Sequence, residues 1–469
     1  MCRCPLILLF AASWLSACSP VPKFDVSELQ PGGETTASVE SSGNYIVPAA
    51  NLSKRMQKEF WLGRAAFKQP WVIAPSSTTA RDGVGPLFNA RSCMSCHRGG
   101  GRGYAPEDAI MTPSVLFRVA KKDGQEVQKE SVYGGQLQPM AIPAQSADRK
   151  LQAEAKVAVH FEPIHGQFDD GEKYTLKRPI FTFSNWSHGN IEPGYGLSPR
   201  YAPVVYGMGL LEAIPEEALV ALEDPEDQNQ DGISGRLNRV VEIETGEIRI
   251  GRFGLKAKHP TLAQQVGGAF QGDLGLTNRF FQEEPCSKQQ LFCQEVAQST
   301  DGTNLSHQYE VQEQSFDATV YFNQLMAVPE ARDLMSPQTI QGRTLFYKIG
   351  CQHCHQPSYT TAQTYPIPEL ANQKIWPFTD LALHDMGPDL ADGTTEFLAN
   401  GQEWRTPPLW GIGTQQKQFP SAGFLHDGRA KTIMEAILWH GGEAEQQRNQ
   451  VRALSKKERV ALIHYLESI

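Results

Sequence analysis

Two short stretches hold the residue types best suited to chemistry, Cys93-Met94-Ser95-Cys96-His97 and Cys351-Gln352-His353-Cys354-His355. Two cysteines separated by two residues, on a turn entering a helix, can each form a thioether with one haem vinyl group. The next histidine then faces the iron as proximal ligand. Zinc can use such cysteines but normally wants a second cysteine or histidine pair nearby. A thioredoxin-like disulfide motif belongs in a βαβ setting that the flanking residues do not suggest. Two copies in one chain favour two covalent c-type haems, bound by Cys93, Cys96, His97 and by Cys351, Cys354, His355.

The remaining cysteines agree with an exported protein. The chain has nine. Cys2 and Cys4 fall in a leader with Arg3 ahead of an apolar run of about ten residues, Leu6 to Leu15, too short to span a bilayer. Leu15-Ser16-Ala17-Cys18 then looks like a lipoprotein signal that leaves Cys18 lipidated, the alternative being an ordinary signal with a chance cysteine. Ser19 after the cysteine fits outer-membrane retention facing the periplasm. Cys286 and Cys293 are left over, and in an oxidising compartment they should pair.

The elements that must position the motifs are legible nearby. Ser336-Pro337 starts a helix with a cap and proline at the first position, and Ile340, Leu345, Phe346 and Ile349 mark its face until Gly350. Ser455-Lys456-Lys457-Glu458 is a capping box opening a last helix with Val460, Ile463 and Leu466 on one side. From about 115 to 250 the chain is irregular, with short strands expected at Val115–Val119 and Ile180–Phe183. Residues 1–17 read as signal peptide and 18–50, rich in Ser, Pro, Gly, Glu and Thr, as a flexible tether.

Further residues carry a resemblance. Trp404-Arg405-Thr406-Pro407-Pro408-Leu409 and His426-Asp427-Gly428-Arg429-Ala430-Lys431-Thr432 resemble the C-terminal domain of bacterial dihaem cytochrome c peroxidases and MauG. Tyr133-Gly134-Gly135-Gln136-Leu137-Gln138, Gly209-Leu210-Leu211-Glu212-Ala213-Ile214-Pro215, Asp231-Gly232-Ile233-Ser234-Gly235-Arg236 and Leu383-His384-Asp385-Met386-Gly387 are similar to the dihaem oxidoreductase family, once named for thiol oxidation. The likeness runs from about residue 55 to the C-terminus. It implies a mostly α fold of two cytochrome c-like domains. The first, 51–330, contains a large irregular α+β insertion, and the second is 331–469.

Carried over, the pattern places His440 as distal ligand of the second haem, with Met386 and then His384 as rivals. A weak internal repeat sets Gly254-Leu255-Lys256-Ala257-Lys258 and Thr261-Leu262 beside Gly428-Arg429-Ala430-Lys431-Thr432-Ile433, so Ala269, next to Phe270, falls where His440 falls. Neither can bind iron, which leaves the first haem open to peroxide or oxygen unless His160, His165 or His188 caps it. Peroxide cleavage needs a proton-moving group, for which Gln136, Glu162 and Glu212 are candidates. Arg405 and Arg429 suit haem propionates. Trp376 and Trp186 are guesses for charge transfer.

Asp227, Asn229, Asp231 and the carbonyl of Ile233 follow calcium-loop spacing, with Gly232 at the turn. Asn238 stands where a bidentate Glu is usual, and an Asx-rich turn is the alternative. The net charge of −9 argues against nucleic acid. The expected partner is a small redox protein, with membrane contact through the lipid anchor alone. Three functions fit: a peroxidase-like dihaem oxidoreductase, a pure electron-transfer cytochrome, and an accessory protein in periplasmic iron handling.

Overall fold

The computed structural model describes residues 21–122, 128–300 and 308–469; the leader with Cys18 lies outside them. Six helices position the site: α1 (Lys54–Lys68), α2 (Leu262–Leu274), α3 (Glu313–Gln324), α4 (Pro337–Ile349), α5 (Ile433–Leu438) and α6 (Lys456–Ser468). Seven strands join them: β1 (Val115–Lys121), β2 (Gln136–Leu137), β3 (Lys156–Gln167), β4 (Lys173–Ser184), β5 (Tyr195–Tyr201), β6 (Leu383–Asp385) and β7 (Glu403–Arg405).

Two helix pairs repeat one packing device. Helix α1 crosses α3 at Gly63, and α4 crosses α6 at Gly342. A Cβ added at Gly63 would stand 2.6 Å from the Phe322 Cβ, and one at Gly342 2.7 Å from the Tyr465 Cβ. Only glycine lets the backbones approach so closely. One turn on, Phe67 packs on Phe322 with ring centroids 4.9 Å apart, and Phe346 on Tyr465 at 5.5 Å. Helix α4 begins at Ser336, whose hydroxyl caps the Thr339 N–H ahead of Pro337. Helix α6 begins with the reciprocal Ser455–Glu458 capping box. Both features were legible in the sequence.

Between the pairs, β1 is the centre of an antiparallel sheet ordered β2-β1-β5, with Arg118 opposite Gln136 on one side and Ser198 on the other. Ile180–Phe183, expected as a short strand, belongs to the twelve-residue β4, paired along its whole length with β3. A two-stranded ribbon is marginal alone, so its two ends are anchored. At the base Phe181 and Phe183 each meet Phe117 at 5.0 Å. At the tip Phe168 is buried under the Arg459 guanidinium, 3.9 Å above its ring, and Arg459 also pairs with Asp170 and Glu172.

The segment 18–50 corrects the expectation of a flexible tether across its described part, 21–50. Tyr45 and Val39 are fully buried, Ala37 bridges Pro329, and Glu28 is buried in an ion pair with Arg343 at 2.8 Å. A few large apolar side chains and backbone pairing outweigh the polar composition. Cys286 and Cys293 are joined by a disulfide, with Cα atoms 5.7 Å apart.

The glycine crossings predict a contrast. Gly342→Ala should destabilise the protein by about 1–3 kcal/mol through overpacking. Gly135→Ala, where an added Cβ meets nothing within 4 Å, should stay within about 0.5 kcal/mol. Urea unfolding of the matured protein checks both.

Candidate functional site

Each Cys-x-x-Cys-His motif forms a single tight turn, Cys93–Cys96 and Cys351–His353, with the histidine just beyond it. The His97 Nδ1 lies 2.7 Å from the Pro203 carbonyl oxygen and the His355 Nδ1 3.0 Å from that of Phe378. A carbonyl only accepts, so Nδ1 carries the proton and Nε2 the lone pair, the tautomer that binds metal. Burial keeps both imidazoles neutral, lowering His97 and taking His355 to about 4, where nearby His440 adds to the effect. The four thiols are unpaired. Burial pushes Cys93 and Cys351 up to about 12 and raises Cys96 and Cys354 too. Among the described residues no group of three or more His, Cys, Asp or Glu side chains is placed to hold a metal ion by itself.

Both histidines open into one continuous cavity. It is lined by residues of both motifs, Cys93, Cys96 and His97 from the first and Cys351, Cys354 and His355 from the second. Its walls are mainly Leu, Val, Phe, Pro and Ala side chains, with a few buried cations among them. Arg102, Arg252 and Arg405 line it, and their described hydrogen-bond partners are all neutral: the Gln415 side chain, the carbonyls of Leu211 and Ile214, and those of Gly254 and Thr406. Burial pushes Arg405 down to about 10. A buried guanidinium needs an anion, and carboxylate-bearing haems fit that need. Arg429 does not share this role. Its fork is spent on Asp427 at 2.7 and 2.8 Å and on the Asp389 carbonyl, so it braces the loop and leaves no donor pair for a propionate.

The internal repeat is present in three dimensions, in a corrected register. Phe253 bridges His259 as Phe424 bridges Ala430. Gly254 and Leu425 both have positive φ, 85° and 69°, and so do Ala257 and Gly428, 51° and 77°. Gly428 therefore matches Ala257, not Gly254. Thr261 and Thr432 then cap α2 and α5 through their hydroxyls. Leu262 and Ile433, Val266 and Ile437, and Ala269 and His440 all line the cavity at equivalent places. The His440 Nδ1 donates to the Ala436 carbonyl at 2.8 Å, leaving its Nε2 free.

The rivals fall out differently. His384 has both ring nitrogens engaged, Nε2 with Asp380 at 2.8 Å and Nδ1 with Glu443 at 2.7 Å, so no lone pair remains for iron. Met386 also lines the cavity. His160, His165 and His188 are exposed on or beside the β3–β4 ribbon, outside the cavity lining. Periodicity could not reveal this, because the ribbon projects its polar side chains away from both motifs.

The three candidate acid–base residues are displaced as well. Glu162 is exposed on β3 opposite Arg178. Glu212 accepts the Leu262 N–H at the start of α2, together with Gln324 and the Tyr365 hydroxyl, so it caps that helix. Gln136 lies behind the wall and donates to Asp273 at 2.9 Å and to Asn89 and Gly272. The sequence reading missed Asp273 itself. It faces the cavity one turn beyond Ala269, with Arg118 and Lys258 beside it, and burial raises its pKa. Lys258 is pushed down to about 8 by burial. Spacing from Ala269 was the available signal, since a residue four on shares its helix face.

Trp186 and Trp376 do not line the cavity; Trp404 does, stacked on His426 at 4.0 Å with Arg200 and Lys256 over its ring. In the calcium-like loop, Asp227, Asn229 and Asp231 turn their oxygens onto the N–H groups of Asp231, Gly232 and Ile233, and the Ile233 side chain reaches the cavity. That is the Asx-turn arrangement.

A family model described as "di-haem oxidoreductase, putative peroxidase" matches residues 25–469. The chain belongs to this family. Two haems and an oxidoreductase activity follow from membership, in agreement with the two motifs and the cavity they share. No curated protein matches the sequence. A solved structure of Kuenenia stuttgartiensis hydrazine synthase, pressurised with 20 bar xenon, aligns over 100% of both chains at 12% identity. Its TM-score of 0.32 is too low to carry an argument.

His426 gives a pH prediction for this dihaem protein. Burial lowers its pKa from 6.5 to about 4, so between those values the unfolded chain binds a proton that the folded one does not. Stability should fall by roughly 3 kcal/mol as pH drops through that window. His426→Gln should flatten that part of the profile of unfolding midpoint against pH.

Proposed function

We propose that the protein is a peroxidase-like c-type dihaem enzyme in which the two haems divide the work. Cys93, Cys96 and His97 would hold the first, the cysteines through thioethers and the histidine through its Nε2. Cys351, Cys354, His355 and His440 would hold the second, the two histidines each through a free Nε2. The observation that carries the reading is the contrast of Ala269 with His440 at equivalent places in the repeat. Haem iron supplies one-electron chemistry and, where a coordination position is free, cleavage of bound peroxide or oxygen.

The chain's own residues supply the rest. Ala269, Phe270 and Val266 leave space beside the first motif and exclude water from it. Asp273, with its raised pKa and its Gln136 brace, is placed to hold and pass on a proton there. Arg102, Arg252 and Arg405 compensate propionates. Each helix pair with its motif is read as one cytochrome c-like unit, and the sheet and ribbon as the insertion of the first. Calcium has no part in this reading; the loop oxygens accept backbone N–H groups.

Export and lipidation at Cys18, on the periplasmic face of the outer membrane, complete the proposal. No helix among the described residues is long and apolar enough to cross a membrane, so the anchor would provide the attachment. A small redox protein would exchange electrons with the second haem.

Absorption and EPR spectra of the matured protein test this. One high-spin and one low-spin haem are expected, whereas two low-spin haems in every redox state would leave only electron transfer. Ala269→His should turn the first haem low-spin and abolish its response to peroxide. His440→Ala should turn the second high-spin. Asp273→Asn should slow the peroxide reaction by about 10²–10⁴-fold without changing the resting spectrum.

A further inference from the structure

His384 is buried and clamped between two carboxylates, Asp380 through Nε2 at 2.8 Å and Glu443 through Nδ1 at 2.7 Å. It also lies 3.6 Å from the sulfur of Cys354, one of the two cysteines of the second motif. Both ring nitrogens face carboxylate oxygens, which only accept, so each carries a proton and the ring is an imidazolium. Glu443 is lowered by His384 in spite of its own burial. The group is thus two carboxylates around one cation, with one negative charge left over in a low-dielectric wall.

Its connections reach both axial histidines. Asp380 sits two residues after Phe378, whose carbonyl takes the His355 Nδ1–H, and its own N–H donates to the Cys354 carbonyl at 3.0 Å. Glu443 sits three residues after His440. It also accepts the Ser234 hydroxyl at 2.9 Å and the Asp385 N–H at 3.2 Å, which pins the turn that follows His440. Gly235 is required beside the ring, since a Cβ there would stand 2.6 Å from the His384 Cε1. The first motif has a different setting. The Cys96 sulfur faces the Pro113 carbonyl at 2.9 Å, and the buried carboxylate near it, Asp273, looks toward Arg118 and Lys258.

We propose that Asp380, His384 and Glu443 are positioning residues that join the segments of the two second-haem ligands and place a fixed negative charge beside that haem, setting its potential below that of the first. The proposal rests on His355 and His440 being the axial pair. A fixed anion near a haem stabilises the ferric over the ferrous state, and its effect is large where water is excluded. Such a charge would favour electron transfer out of the second haem.

The test is a spectroelectrochemical titration of the full matured protein, following the low-spin haem. Glu443→Gln and Asp380→Asn each remove one charge while keeping the side-chain shape. Both should raise the midpoint of the low-spin haem and leave it low-spin, and should move the other haem less. Glu443→Asp, which keeps the charge, should move the midpoint less than Glu443→Gln. A midpoint that stays put or falls in both neutral variants overturns the proposal. If the unsubstituted protein has no low-spin haem, the failure lies earlier, in the His355/His440 assignment, and the inference falls with it.

Discussion

An imidazole that gives its Nδ1–H to a backbone carbonyl has one thing left to offer, the Nε2 lone pair. His97, His355 and His440 are all in this state, through the carbonyls of Pro203, Phe378 and Ala436. Those carbonyls belong to three different local structures: an irregular wall after β5, a loop ahead of β6, and helix α5. Much of the remaining architecture brings each carbonyl to its ring. The glycine crossings at Gly63 and Gly342 fix the helices beside each motif, and the capping threonines Thr261 and Thr432 fix the helices that face them.

Within that frame the two halves are alike in backbone and unlike in chemistry. The loops before α2 and α5 share a bridge, two left-handed residues and a cap, although Ala257 stands in one where Gly428 stands in the other. An alanine with φ of 51° is strained relative to glycine. Its persistence shows that the surrounding loop dictates the conformation. Because the backbone repeats, the exchange of imidazole for methyl at the equivalent position is one clear difference between the two sites.

Buried charge follows a similar logic. Isolated buried ions are costly, and the protein resolves this in two ways. Lys256 is fully enclosed and satisfied by Asp392 and the carbonyls of Thr394 and Asn400. Arg102, Arg252 and Arg405 instead meet neutral hydrogen-bond acceptors, and in the proposed reading they compensate anions of a bound group. The first kind holds loops together, and the second kind has chemical meaning only when the cavity is filled.

The sequence by itself determined the two motifs, the caps of α4 and α6, the pairing of Cys286 with Cys293 and the correspondence of His440 with Ala269. Each of these depends on spacing along one short segment, where helical or turn geometry converts sequence distance directly into direction. Family membership was also legible, in motifs spread along nearly the whole chain. Tertiary structure decided what spacing could not. It turned Glu162 and three histidines outward on the ribbon and assigned Glu212 to a helix cap. It spent Arg429 on Asp427, drew residues 21–50 into the core and brought Asp273 and the His384 cluster to the cavity. A side chain's partner across the fold depends on which strands and loops meet there, and burial then fixes whether its charge is paired, suppressed or left for a ligand.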